Sequence, residues 1–268
     1  MNSAYASRYS LEFNPFIKNS KEIIVETDDY KELKYRLDYL LTIKGFGLVT
    51  GPPGNGKTTS LRNWAKSLNT AAYKVIYIAL TSITPLDYFR QLAMGLGEIP
   101  CFRKVDNFKT IQKAIQRLNN EKKITPVFIF DEANYLPSGV LSDLKVLFNF
   151  EMDSKDKAVV ILSGLPSLIN TLNLSVNEPL KQRIVTSYQM EPMSKEEAKK
   201  YIDTKLKAAG CRSQIFSEAA IEELINYASG NPRTLNKIIN NALLLADSYN
   251  CNMIDTDIAL KAISESEI

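Results

Sequence analysis

Eight consecutive residues early in the chain have the types and the spacing that bind a polyphosphate. They match the pattern G-x-x-x-x-G-K-[ST] at every fixed position and, with one further threonine, read Gly51-Pro52-Pro53-Gly54-Asn55-Gly56-Lys57-Thr58-Thr59. Glycine allows several backbone N–H groups to converge on the phosphates, because a Cβ atom would block that approach. We expect Lys57 to place a positive charge between the terminal phosphates and the hydroxyl of Thr58 to ligate Mg²⁺.

Two adjacent carboxylates form the second part of the predicted chemistry. Asp131 and Glu132 directly follow the apolar run Val127–Phe130. In nucleotide-binding parallel sheets, ligands collect at the carboxyl ends of the strands, and these two side chains stand at such an end. We expect Asp131 to hold Mg²⁺ and Glu132 to orient and deprotonate an attacking water. The two motifs together predict binding and hydrolysis of ATP or GTP.

These residues need a sheet that brings them to one edge, and the chain between residues 46 and 190 has the pattern of such a sheet. Short apolar runs predict five strands, at Phe46–Thr50, Lys74–Leu80, Pro126–Phe130, Ala158–Ser163 and Ile184–Met190. Several of these runs are apolar at consecutive positions, which is typical of strands buried on both faces. Helical patterns lie between them, at Tyr30–Ile43, Lys57–Leu68, Leu86–Leu96, Phe108–Lys122 and Val140–Asn149. The alternation predicts an α/β fold with a parallel sheet covered on both sides.

After Met190 the pattern is helical only. Ser194 and Glu197 have the spacing of a capping box, and Ser217 precedes a second helical stripe. A break at Gly230-Asn231-Pro232 separates that stripe from a third, at Thr234–Ser248, and a short last helix starts near Asp255. We therefore predict two domains. Residues 1–191 would form the α/β nucleotide-binding domain with an N-terminal entry segment, and residues 192–268 a small helical domain.

The composition excludes several other kinds of site. With 45% hydrophobic and 24% charged residues the chain is typical of a globular protein, and its net charge of +3 is too small to identify a partner. The chain has no histidine, which excludes imidazole acid–base catalysis and imidazole metal sites. Its longest apolar runs have the length of strands, and its N-terminus has no apolar signal core. We expect a cytoplasmic protein that does not bind membranes.

Three further segments accompany the phosphate loop and the stretch Phe128–Ala133. They are Phe13-Asn14-Pro15-Phe16, Gly164-Leu165-Pro166-Ser167-Leu168 and Ser229-Gly230-Asn231-Pro232-Arg233. In this combination the chain resembles, over nearly its whole length, the AAA+ ATPases of the ExeA-like group, which includes the transposition ATPases TniB, IstB and TnsC. The resemblance implies the three-layer parallel sheet of P-loop NTPases, of AAA+ type, followed by a small all-helical lid. It also implies that ATP and Mg²⁺ bind between neighbouring subunits of a ring or filament.

The resemblance assigns roles to two arginines and leaves one role unfilled. Arg183 matches the arginine finger that completes the charge clamp on the γ-phosphate in the neighbouring subunit. Arg233 matches the second sensor, which reads the γ-phosphate within its own subunit. The group has a polar first-sensor residue where this chain has Leu165. We expect slow hydrolysis unless Ser163 takes over that role.

The resemblance leaves the biological role open between three alternatives. The first is a transposition regulator that forms homo-oligomers on double-stranded DNA and recruits or activates a transposase. The second is a secretion-type ATPase of envelope assembly; such relatives continue into a membrane span, so a chain that ends at Ile268 is expected to favour the first role. The third is a nucleotide switch with a protein partner only, in which ATP repositions the lid through Arg233.

Basic residue pairs are the candidate DNA contacts. The loop Leu80–Thr84 lies where relatives that track duplex DNA have basic residues, yet it contains neither lysine nor arginine. Arg103 and Lys104 are therefore the preferred candidates for phosphate contact, whereas Lys122-Lys123 has the pattern of a solvated helix end. No module for sequence readout is visible, so we expect any DNA binding to depend on the backbone and to weaken with salt.

Overall fold

A five-stranded parallel sheet forms the centre of one of two compact units. The computed structural model describes residues 8–79, 84–152 and 154–266. The strands lie in the order β2-β3-β4-β1-β5, and all paired strands are parallel. Their bounds are β1 Gly45–Thr50, β2 Tyr73–Ile78, β3 Thr125–Phe130, β4 Val159–Gly164 and β5 Ile184–Gln189. These bounds confirm the five predicted strands; the predicted end of the second strand at Leu80 lies outside the described residues.

Helices cover both faces of the sheet, which confirms the predicted three layers. Their bounds are α1 Asp28–Ile43, α2 Lys57–Ser67, α3 Pro85–Leu96, α4 Lys104–Asn120, α5 Ser138–Leu147, α6 Ser167–Leu172 and α7 Glu178–Lys181. Phe128 and Phe130 point to one face and share a core with α3, α4 and α5. Val127 and Ile129 point to the other face and share a core with Trp64 of α2 and with α1. The short helices α6 and α7 are not predicted from the sequence.

Strand burial follows from the position of each strand in the sheet. Every residue of β1 and β4 is buried, as the consecutive apolar positions predict. The strand β5 lies at the edge of the sheet and pairs with β1 alone, and its residues alternate between half-buried and exposed. The buried inner strands thus bring the ends of β1, β3 and β4 to the same edge of the sheet.

The second unit is helical. It comprises the described residues of 8–29, 54–56 and 191–266, with the helices α8 Lys195–Ala208, α9 Glu218–Ala228, α10 Pro232–Ser248 and α11 Thr256–Ser266. The capping box at the start of α8 is present, because Ser194 accepts from the backbone of Glu197 while the Glu197 side chain accepts from the backbone of Ser194. Across both units, no described helix combines the length and the apolar character needed to cross a bilayer.

The described N-terminal residues pack with the helical unit. The sequence assigns them to the α/β domain as an entry segment, but their apolar side chains Tyr9, Leu11 and Phe16 are buried among the helices of the second unit. The ammonium of Lys205 also donates to the carbonyl of Pro15 at 2.9 Å. Burial lowers the pKa of Lys205 to about 8. The segment packs with the helical unit because burying its large apolar side chains is favourable, and the core that buries them lies among these helices.

Candidate functional site

The predicted phosphate loop joins the end of β1 to the start of α2, as the motif requires. Its backbone has positive φ at Gly54 (87°) and Gly56 (89°), a conformation that strains any residue with a side chain. A Cβ atom on Gly56 would have no heavy atom within 4 Å, so the glycine is needed for its φ rather than for lack of space. Thr58 and Thr59 lie in the first turn of α2, half-buried and exposed respectively.

The ammonium of Lys57 lies against its own loop. Lys57 is only 7% exposed, and its Nζ donates to the carbonyls of Gly51 at 2.8 Å and Pro52 at 3.0 Å. The loop thereby holds a positive charge at the N-terminus of α2, and the N-terminal end of a helix also attracts anions. This arrangement suits a polyphosphate.

Asn55 is a buried amide that has no partner. It is 6% exposed, and neither its Oδ1 nor its Nδ2 forms a hydrogen bond with any described residue. Leaving such a group unsatisfied costs about 1–3 kcal/mol, so native structures rarely tolerate it without a ligand or a water nearby. Together with the positive φ of Gly54 and Gly56, this amide marks the loop as a site that a polar ligand completes.

Asp131 is a buried carboxylate that four donors surround. Its Oδ2 accepts from the hydroxyls of Thr58 at 2.6 Å and Tyr77 at 2.9 Å. Its Oδ1 accepts from the hydroxyl of Ser163 at 2.9 Å and from the backbone N–H of Glu132 at 3.1 Å. Burial, followed by the hydrogen bond to Asp131, raises the pKa of Tyr77 well above its usual value, so its phenol remains a donor.

The Thr58 and Asp131 pair fits a magnesium ion. Asp131 is 3% exposed, and its oxygen lies 2.6 Å from the Thr58 hydroxyl oxygen. Mg²⁺ prefers hard oxygen ligands, usually one or two from the protein together with waters and substrate phosphates. A hydroxyl and a carboxylate held together at the foot of a phosphate loop are such a donor set.

Glu132 has a strained backbone and an open side chain. Its φ of 54° is left-handed, which is uncommon for residues other than glycine and concentrates at functional sites. The side chain is exposed, and within the described ranges its carboxylate accepts no hydrogen bond. The carboxylate is therefore open to a hydrogen bond from a water at this edge of the sheet.

The first-sensor expectation concerns Ser163, near the end of β4, and Leu165, directly after that strand. Ser163 is fully buried and its hydroxyl is committed to Asp131. The backbone N–H of Leu165 donates to Oδ1 of Asn134 at 2.9 Å, so the polar side chain beside Leu165 comes from the turn after β3. Sequence reasoning missed both Asn134 and Tyr77, although each is a polar residue within four positions of a predicted strand end.

Arg183 lies at the amino edge of the sheet, just before β5, and its own chain engages it. The side chain is 13% exposed and donates to the carbonyls of Lys145 at 2.7 Å and Phe148 at 3.2 Å. It also forms an ion pair with Asp156 at 3.1 Å, and its guanidinium lies 5.3 Å from the ring centre of Phe46. Arg183 thus caps the C-terminal end of α5, a role that the sequence does not predict. Its action in a neighbouring subunit stays a prediction.

Arg233 belongs to the helical unit, where it is the second residue of α10. Its guanidinium is exposed and hydrogen-bonds to no described residue. The side chain of Asn231 caps this helix by accepting from the backbone N–H groups of Arg233 and Thr234. Within the same unit, a Cβ atom on Gly54 would lie 2.5 Å from Oδ1 of Asn231, so glycine is required there for close approach as well as for φ.

The candidate DNA contacts Arg103 and Lys104 differ in availability. Lys104 forms an ion pair with Asp143 at 2.5 Å and lies 5.4 Å from the ring centre of Phe89. Arg103 is exposed, and its guanidinium has no partner among the described residues. The loop at Leu80–Thr84 falls largely on residues 80–83, outside the described residues.

Comparison with known proteins gives one family match and one related protein. A family model described as AAA domain matches residues 42–172, which include the phosphate loop, Asp131 and Glu132. General secretion pathway protein A of Aeromonas hydrophila is 30% identical over 270 residues, which cover 98% of this chain and 49% of that protein. The chain therefore spans about half the length of this relative, and where the sequence ends decides nothing about its role.

Solved structures share the fold at low sequence identity. The ORC2 protein of Aeropyrum pernix, in its ADPNP–ADP complexes, aligns with a TM-score of 0.70 at 16% identity, covering 95% of this chain and 71% of that one. The ORC1 protein of the same organism, in complex with DNA, aligns with a TM-score of 0.69 at 16% identity, covering 94% and 68%. Residues 42–172 therefore match the AAA domain model, and the chain shares with these solved structures the fold of P-loop nucleoside triphosphatases, of AAA+ type.

Proposed function

We propose that this chain is an ATPase that binds Mg–ATP at the phosphate loop and hydrolyses it to ADP and phosphate. The observation that carries the proposal is the contact of 2.6 Å between the Thr58 hydroxyl and the Asp131 carboxylate. It joins the helix after the phosphate loop to the strand that ends in two acids. Few structural roles require a buried carboxylate beside a phosphate loop, whereas a magnesium nucleotide requires both.

The chain's residues divide the work of the reaction between them. Lys57 and the loop N–H groups bind the phosphates, and Thr58 and Asp131 hold Mg²⁺, which supplies positive charge against the charge of the phosphates. Glu132 orients a water and accepts one of its protons. The oxygen of that water bonds to the γ-phosphorus while the bond to the β–γ bridging oxygen breaks, and the electron pair leaves with ADP.

Binding and turnover measured in parallel test this proposal. We expect calorimetry to detect Mg–ATP binding to the wild-type chain, and we expect Lys57→Ala to abolish it. Thr58→Val keeps the shape but removes the magnesium ligand, so it should lower ATP affinity in Mg²⁺ and leave affinity in EDTA unchanged. Thr59→Val is the matched control, because Thr59 is exposed one residue further along α2. Unchanged affinity in Lys57→Ala would contradict the proposal.

The finer role of the ATPase has two candidates. The identity of 30% with general secretion pathway protein A, over nearly the whole chain, favours a role in envelope assembly or secretion. The candidate role of a transposition regulator, with double-stranded DNA and a transposase as partners, rests on the sequence resemblance and on the exposed Arg103. The fold that the chain shares with a DNA-bound ORC1 protein is compatible with it. If the chain has this second role, we expect it to form homo-oligomers and to be located in the cytoplasm.

One experiment separates the two candidates. Sedimentation with a non-hydrolysable ATP analogue, with and without duplex DNA and at two salt concentrations, measures assembly and DNA binding together. The transposition role predicts assemblies that bind DNA and lose it as salt rises, and it predicts weaker binding in Arg103→Ala. The matched control is Arg212→Ala, an exposed arginine of the helical unit. Assembly that DNA does not alter favours the secretion role or a nucleotide switch.

A further inference from the structure

Asn134 occupies the space between the ends of β3 and β4. It follows Glu132 by two residues, in the short turn Ala133–Tyr135. Its Oδ1 accepts from the backbone N–H of Leu165 at 2.9 Å. A Cβ atom on Gly164 would lie only 2.6 Å from that same oxygen, so glycine at the end of β4 leaves the room that the amide fills.

The amide oxygen of Asn134 accepts a hydrogen bond, but its amide nitrogen donates none to a described residue. The side chain is half-buried, and in the described parts of the chain its Nδ2 donates to no acceptor. The hydrogen bond to Oδ1 shows which end of the amide faces Leu165 and restricts its rotation, so the N–H bonds point away from that backbone group. The NH₂ group is therefore an oriented donor that has no acceptor within residues 8–79, 84–152 and 154–266.

The residues around Asn134 indicate which kind of group this donor would bind. Ser163, next to Gly164 in β4, donates to Asp131, and Glu132 precedes Asn134 in the same turn. The amide thus stands at the carboxyl edge of the sheet among the residues assigned to magnesium and to the attacking water. Ser163 is committed to Asp131 and Leu165 is apolar, so neither supplies a side-chain donor to the phosphate.

We propose that Asn134 Nδ2 donates a hydrogen bond to an oxygen of the terminal phosphoryl group as it is transferred to water. This inference rests on the proposed ATPase function and names the residue that fills the role left open at Leu165. Charge is spread over the phosphoryl oxygens in the transition state. A donor that is already oriented stabilises that charge more than the ground state, because it does not reorganise during the reaction.

Two substitutions separate this role from that of a structural anchor. Asn134→Ala removes the whole amide, whereas Asn134→Asp keeps an oxygen that can accept from Leu165 and removes both N–H donors. We expect both variants to bind Mg–ADP as the wild type does. We expect both to lose about tenfold or more in affinity for Mg–ADP with fluoroaluminate, a mimic of the transferred phosphoryl group, and to lose about 10²-fold in kcat at unchanged KM.

Each other outcome overturns a stated part of the assignment. If Asn134→Asp behaves as the wild type while Asn134→Ala is defective, Asn134 is an anchor for Leu165 and not a donor. If Asn134→Ala keeps wild-type kcat and fluoroaluminate affinity, Asn134 has no part in the reaction, while the ATPase function stands. If the wild-type chain binds no Mg–nucleotide, the proposed function fails and this assignment fails with it. Thermal denaturation of each variant identifies any loss that comes from unfolding.

Discussion

The two edges of the central sheet carry polar groups of opposite character. At the amino edge, the Arg183 side chain is 13% exposed and contacts two carbonyls, a carboxylate and an aromatic ring. At the carboxyl edge, Glu132 is exposed on a left-handed backbone, and Asn134 uses only half of its amide. Both edges are polar. The Arg183 side chain has hydrogen-bond partners within the chain, whereas the Glu132 carboxylate and Nδ2 of Asn134 have none among the described residues.

The difference separates groups that stabilise the fold from groups that await a ligand. A polar side chain whose hydrogen bonds all close within the protein contributes to stability. A polar residue that has a strained backbone, or that forms only some of its hydrogen bonds, costs stability. Such residues persist mainly where function requires them. Substitution of Arg183 should therefore impair folding, whereas substitution of Glu132 or Asn134 should impair chemistry.

The largest expected effect is on turnover at the carboxyl edge. Glu132→Gln keeps size and polarity but removes the proton acceptor, so we expect ATP turnover to fall by about 10²-fold or more while Mg–ATP binding persists. Because the Glu132 carboxylate has no partner among the described residues, the free energy of unfolding should change by less than about 0.5 kcal/mol. A coupled ATPase assay and urea denaturation measure the two quantities. Glu121→Gln, another exposed carboxylate, is the control, and wild-type turnover in Glu132→Gln would remove Glu132 from the mechanism.

Two buried asparagines extend the comparison to stability. Asn107 is fully buried; it accepts from the backbone of Cys101 and donates to the carbonyls of Cys101 and Arg103. Asn107→Ala should cost about 1–3 kcal/mol, because it leaves those groups unpaired. Asn55→Ala removes an amide that has no partner, so in the absence of nucleotide it should leave stability unchanged or raise it. Urea denaturation of both variants checks this, and equal losses would show that Asn55 is satisfied in solution.

The sequence predicts what depends on local pattern. Runs of consecutive apolar residues place the strands, and the fixed spacing of the phosphate loop places Lys57 and Thr58 at the start of a helix. The sequence does not show which polar residues from separate elements meet, because that depends on strand order. Tyr77 reaches Asp131 because β2 and β3 are neighbours, and Asn134 reaches Leu165 because β3 and β4 are neighbours. The packing of the N-terminal segment could not be predicted for the same reason, because no local pattern indicates which core buries Tyr9 and Phe16.

At the amino edge we expect a loss of stability. Arg183→Ala removes hydrogen bonds from a side chain that is 13% exposed, so the free energy of unfolding should fall by about 1–3 kcal/mol. Lys181→Ala, an exposed cation two residues earlier, should change it little. Denaturation of both variants tests the structural role.

Mixing Arg183→Ala with Lys57→Ala tests the predicted action in a neighbouring subunit, since mixed interfaces would then recover turnover that neither variant has. Lost turnover at unchanged stability would contradict the capping role.

The smallest effect should come from one of the four donors around Asp131. Tyr77→Phe removes a hydroxyl from a side chain that is 52% exposed, so water can replace the donor and we expect a loss below about 1 kcal/mol. Ser163→Ala removes an equivalent donor from the other carboxylate oxygen, but Ser163 is fully buried and water cannot reach its place. That substitution should cost about 1–3 kcal/mol. Urea denaturation without nucleotide measures both, and a larger loss in Tyr77→Phe than in Ser163→Ala would mean that exposure does not govern the energy of these hydrogen bonds.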